Sequence, residues 1–170
     1  MRVTLWYLIE DSPVPFIRTI LHPTDLSEQS RTAFELASAL AHDFGAELVV
    51  LHVYPEPING AEAVDRTRDD GLEEDLGMAL RKLVPSDPTI PVDYHLEEGD
   101  PAKTILKASS KCDLIVMGTH GRRGIKRALL GSVAEKVLRE ARCPVVTVRP
   151  TAHLGGDKPD SLPEAAAGWH

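Results

Sequence analysis

Residues 113–149 read DLIVMGTHGRRGIKRALLGSVAEKVLREARCPVVTVR. The opening run DLIVMG (113–118) is apolar almost throughout, the pattern of a strand buried on both faces of a parallel sheet. From Ser132 onward, Val133, Ala134, Val137, Leu138 and Ala141 recur at the spacing of one helical face. Pro144 ends that helix, and VVTVR (145–149) supplies a last strand. Strand, helix and strand in this order form a βαβ unit. Its first connection, 118–132, holds four glycines and four cations and no carboxylate. That stretch is either a solvated basic link or a backbone cradle for an anion.

The same alternation extends upstream. FIRTILH (16–22) reads as a strand and PTDLS as a turn, with Ser27 as an N-cap and Glu28 in the first helical turn. Ala33, Phe34, Ala37, Leu40, Ala41 and Phe44 then share a helical face, and Gly45 marks its end. AELVVLHVY (46–54) is a second buried strand. Residues 55–71 are loop-like and overlap an acidic helix that runs to about Val84, its carboxylates forming a solvated face. VDYHLEE (92–98) alternates as a strand, and Asp100 with Pro101 opens a helix to about Ser110. Five strands and four intervening helices predict a doubly wound parallel α/β sheet with helices on both faces.

Composition narrows the partners. The 170 residues carry a formal charge of −7, and Arg122, Arg123, Lys126 and Arg127 put +4 into the glycine-rich stretch, leaving −11 elsewhere. A basic island in an acidic chain suits a compact anion rather than a nucleic acid or a membrane surface. The apolar run Val3–Ile9 is too short for a span and lacks a signal peptide's flanks, so a cytoplasmic protein is expected. Cys112 and Cys143 show no metal or redox spacing and read as small, partly buried residues. His22 and His52 read as core-edge residues, and no histidine spacing suits a metal.

In an open α/β sheet, ligands bind beyond the carboxyl ends of the strands where strand order reverses. Gly118, Gly121 and Gly131 let a backbone approach a ligand closely, and Ser132 begins a helix whose free N–H groups favour phosphate. There is no G-x-x-x-x-G-K-[ST] and no G-x-G-x-x-G after the first strand, which excludes the Walker and dinucleotide patterns.

Gly118-x-x-Gly121, nine residues, then Gly131-Ser132 resembles the nucleotide-binding signature of the universal stress protein family. HPTDLSEQS (22–30), ELVVLHVY (47–54), EEGDPAKTIL (97–106) and the stretch 113–150 are similar to the corresponding segments of that family. The resemblance covers about residues 17–150, leaving 1–16 as an N-terminal extension and 151–170 as a flexible tail. It implies a Rossmann-like or flavodoxin-like sheet of order 3-2-1-4-5, and ATP as ligand, with any Mg²⁺ held by the phosphates. Pro23, Thr24 and Asp25 would border adenine and ribose, Asp25 alternatively serving to cap the next helix. Val53 would meet the base through its backbone and Met117 would line its pocket. Gly118, Gly121, Gly131, Ser132 and Val133 would wrap ribose and phosphates. His120 and Arg122 reach toward a phosphate or, alternatively, face solvent. Ala134 departs from the hydroxyl residue common there. The resemblance also implies a homodimer through residues 144–149. It points to a nucleotide-dependent regulator of the stress response. The alternatives are a slow ATP hydrolase or adenylyl-transferring enzyme, for which H-I-G-H and S-G-G-x-D-S motifs are absent, and a binder of AMP or cyclic AMP.

Overall fold

A computed structural model describes residues 16–55, 67–119 and 130–149. The elements run β1 (Thr19–Thr24), α1 (Glu28–Phe44), β2 (Glu47–Tyr54), α2 (Thr67–Arg81), β3 (Val92–Glu98), α3 (Pro101–Ala108), β4 (Leu114–Gly118), α4 (Ser132–Glu140) and β5 (Val145–Val148). A 3-10 turn, Ser109–Lys111, closes α3. All strand pairs are parallel, in the order β3-β2-β1-β4-β5.

The two helical layers follow from strand parity, since successive side chains point to opposite faces. Ile20, Leu48, Val50, Leu114 and Val116 project to one side, where Phe34, Ala37 and Ala41 of α1 and Leu80 of α2 cover them. Leu21, Leu51, Ile115 and Met117 project to the other, against Ile105 of α3 and Ala134 and Val137 of α4. Each fully buried aliphatic side chain contributes about 1.5–3 kcal/mol.

Helix ends are set by residues that the sequence announces. The Ser27 hydroxyl accepts the Ser30 amide at 3.2 Å and the Asp100 carboxylate accepts the Lys103 amide at 2.8 Å. Gly45 ends α1 in the left-handed region at φ 63°, donating to the carbonyls of Ala41 and His42.

Several boundaries differ from expectation. β1 begins at Thr19 and extends through Pro23 to Thr24, whereas 16–22 was the expected span; Phe16 is 68% exposed and lies before the sheet. α2 ends at Arg81 rather than Val84, because Lys82 and Leu83 turn back to the carbonyls of Ala79 and Leu80. Phe44 and Leu138 were expected on buried helix faces and are 46% and 42% exposed, each lying in the last turn of its helix at the rim of the layer. The acidic residues 73–75 are exposed, as expected of a solvated face.

Candidate functional site

The strand order reverses between β1 and β4, the adjacent central strands that lead to opposite sides of the sheet. Their ladder pairs Ile20 with Leu114 and Leu21 with Ile115, then stops. Proline explains where. Thr19 O accepts the Asp113 amide while Arg18 O accepts the Glu47 amide, so odd residues of β1 turn their backbone toward β4 and even ones toward β2. Pro23 therefore faces β4 with no N–H to give, and its ladder position toward β2 is unaffected.

The next carbonyl along β4, that of Val116, accepts instead from His22 Nδ1–H at 2.9 Å. This buried ring lies edge-on to Phe34, its centroid 5.6 Å away, and Nε2 has no hydrogen-bond partner among the described residues. Burial holds the imidazole down to about 4, outweighing the bond to Val116 and the charge of Asp25, so the ring is neutral. On the other side of β1, His52 Nδ1–H donates to Thr24 O at 2.8 Å. Two histidines expected at the core edge are thus buried clamps on the strand ends around the opening. Their signal in the sequence is a lone polar residue within each apolar run.

Beyond Thr24 the chain turns sharply. Leu26 adopts φ 60°, unusual for a residue with a branched side chain, and its amide donates to Thr24 Oγ1 at 3.1 Å. Asp25 Oδ1 accepts from both the amide and the hydroxyl of Ser27, at 3.1 and 2.6 Å. Asp25 therefore braces Ser27, and it is Ser27 that caps α1.

Counting on from Leu21–Ile115, Pro23 lies level with Met117 and Thr24 with Gly118. Val53 follows His52, the register partner of Thr24, and is half-buried. Met117 is buried in the α3–α4 layer. Thr119, just past β4, donates its amide to Val148 O at 3.0 Å and accepts the Gly131 amide at 2.7 Å. That bond brings Gly131, Ser132 and Val133 back to the end of β4. Gly131 has φ −76° and ψ 155°, and among the described residues no side chain caps the helix that begins after it. In this respect α4 differs from α1 and α3. Ser132 is exposed, Val133 half-buried and Ala134 buried. His120, Gly121 and Arg122 lie outside the described residues, as do the remaining cations of the basic island.

The structure thus gathers Pro23, Thr24, Asp25, Val53, Met117, Gly118 and Gly131–Val133 at the carboxyl ends of the central strands. Chemically, that place offers helix-start amides to an anion and apolar surface to a flat ring. Among the described residues, no group of three His, Cys, Asp or Glu side chains is disposed to hold a metal ion, and no helix is long and apolar enough to cross a membrane.

The sequence profile of the Universal stress protein family matches residues 17–149. The chain belongs to the universal stress protein family. A universal stress protein of Methanocaldococcus jannaschii is 39% identical over 139 residues, spanning 78% of this chain and 82% of the relative. Among solved structures, the hypothetical protein MJ0577 is 29% identical with a TM-score of 0.66, over 81% of this chain and 99% of that one. A universal stress protein solved in complex with cAMP shares the fold at 21% identity and a TM-score of 0.54, over 78% of this chain and 97% of that one. The strand order and helix placement of this universal stress protein match those structures.

Proposed function

We propose that this universal stress protein binds an adenine nucleotide, ATP with its Mg²⁺ carried by the phosphates, and acts as a cytoplasmic nucleotide-dependent regulator of the stress response. The observation that carries the reading is the start of α4, with no side-chain cap among the described residues and held beside the end of β4 by the Gly131–Thr119 bond. Helix-start amides favour a phosphate. The G-x-x-G-x9-G-[ST] spacing and four neighbouring cations agree with it, and a relative of the same fold was captured with cAMP. Pro23, Thr24, Asp25, Val53 and Met117 take the nucleoside. Gly118, Gly121, Ser132 and Val133 take ribose and phosphates, and His120 and Arg122 add to the phosphate end; Gly131, expected among the amide donors, gives its N–H to Thr119 O and serves only by its lack of a side chain.

Ser132→Pro tests the anion cradle with little cost to the fold. Proline is favoured at the first helical position, and Gly131 already has the extended backbone that a residue before proline requires. The substitution removes one amide donor and the hydroxyl. ATP affinity, measured by calorimetry with Mg²⁺, is expected to fall roughly tenfold to a hundredfold, the worth of a charge-assisted hydrogen bond. The melting temperature should stay close to that of the parent. Unchanged affinity would falsify the reading, and mass spectrometry of nucleotide released from purified protein separates ATP from AMP and cyclic AMP.

We infer also that two copies pair through residues 144–149. β5 is a sheet edge whose four residues are all half-exposed, a template for a second strand. The carbonyls of Pro144 and Val148 accept from β4, so the Thr147 backbone faces the open edge. Thr147→Pro removes that outward amide and is expected to convert the dimer to monomer in sedimentation; a mass unaltered by the change counts against pairing there.

A further inference from the structure

Cys112 and Cys143 lie immediately before β4 and β5, and their sulfurs are 3.6 Å apart. Both are half-buried thiols. Their backbones are held independently of each other. Asp113, next to Cys112, gives its amide to Thr19 O at 2.9 Å and accepts the amides of Arg18 and Thr19 on Oδ2. Pro144, next to Cys143, receives the Ile115 amide at 3.0 Å, and the Arg142 amide reaches Ser109 Oγ at 3.4 Å. The sulfurs are therefore brought into contact by the sheet rather than by chance side-chain placement. Cys112 also lines a cavity of about 430 Å³ over β1–β3 beside α3.

We propose that Cys112 and Cys143 form a reversible disulfide, made by a peroxide and undone by a dithiol. The pair needs only a closing movement of about 1.5 Å to bonding distance. Cys143 sulfur, as thiolate, attacks one peroxide oxygen; the O–O bond breaks, sulfur is oxidised to a sulfenic acid and the other oxygen leaves as hydroxide, which becomes water by taking up the proton that the Cys143 thiol released. Cys112 sulfur then attacks the sulfenic sulfur. The S–S bond forms, the S–O bond breaks, and the departing hydroxide leaves as water with the Cys112 proton. Two thiols and one peroxide give one disulfide and two waters.

The order of attack follows from the surroundings. Burial, with the neighbouring sulfur, pushes the Cys112 thiol up to about 12. Burial also raises Cys143, by less, and the Cys112 S–H facing it works in the opposite direction. Both groups rest as thiols at neutral pH, so the reaction is slow and the reduced form is the default. The bond would enclose β4, the glycine-rich stretch and α4 in one covalent ring, spanning the whole of 118–132.

The test uses the full chain, exposed to hydrogen peroxide, quenched with catalase and alkylated with N-ethylmaleimide. The expected product is a monomeric chain lighter by two hydrogens, unlabelled at both sulfurs, giving a cross-linked peptide pair and returning to two labelled thiols after dithiothreitol. Cys112→Ser should leave a sulfenic acid on Cys143 that dimedone traps. Thiols that both stay open to alkylation, oxidation to separate sulfinic or sulfonic acids, or links formed only between molecules would overturn the proposal. The wild-type result stands whether or not the serine variant folds.

Discussion

Ile115→Ala is expected to lower the melting temperature by about 10 °C, through a loss of about 3–4 kcal/mol. Ile115 has no exposed surface and lies at the middle of the sheet, in register with Leu21 of β1 and Val145 of β5. Its side chain fills the space bounded by Ile105, Ala134 and Val137, three residues from two helices. A strand backbone bonded on both edges cannot collapse into the void, so the loss includes a cavity contribution as well as lost transfer energy. Ile115→Val removes one methylene and should cost about 1 kcal/mol. Leu138→Ala, at a side chain 42% exposed, should cost less than Ile115→Ala by several-fold. Thermal and urea unfolding of the three variants, read by circular dichroism, gives the ranking; equal losses at 115 and 138 would contradict the packing described.

The second large effect is acid sensitivity centred on His22. Its folded imidazole is held down to about 4, against 6.5 when exposed. The unfolded chain therefore takes up the proton first as pH falls. The stabilisation is complete above about pH 6.5, declines through the interval down to about 4, and is gone below it, amounting to about 3 kcal/mol. His22→Leu removes the titration, so its stability should fall less steeply than the parent's between pH 6.5 and 4, although it starts lower because Val116 O loses its donor. Pro23→Ala in the same background restores a backbone N–H facing β4 and should recover part of that loss. Urea midpoints at pH 7 and pH 4.5 decide the matter: parallel pH profiles for parent and His22→Leu would remove His22 as the cause.

How much of this could be read from residues alone depended on whether the signal was local. β3 was legible to the residue because VDYHLEE alternates and is flanked by Pro91 and Gly99. The caps Ser27, Gly45 and Asp100 were legible because capping is decided by a side chain and backbone within a few positions. β1 was misplaced by local logic. Proline argues against a central strand, yet Pro23 is tolerated because the β4 carbonyl it cannot serve, that of Val116, accepts from His22 Nδ1–H instead. The same holds for the histidines, whose partners, Val116 O and Thr24 O, lie 94 and 28 residues away in sequence. The Cys112–Cys143 contact was equally hidden, since a gap of 31 residues resembles no metal or redox motif. Glycine spacing, by contrast, pointed to the carboxyl ends of the central strands because the first and last of those glycines bracket a strand end and a helix start.

The bond from the Gly131 amide to Thr119 O, with Thr119 anchored in turn to Val148, ties off a noose whose knot belongs to the sheet. The start of α4 is thereby moored to the ends of β4 and β5, so a displacement at any one of these three termini is passed to the other two.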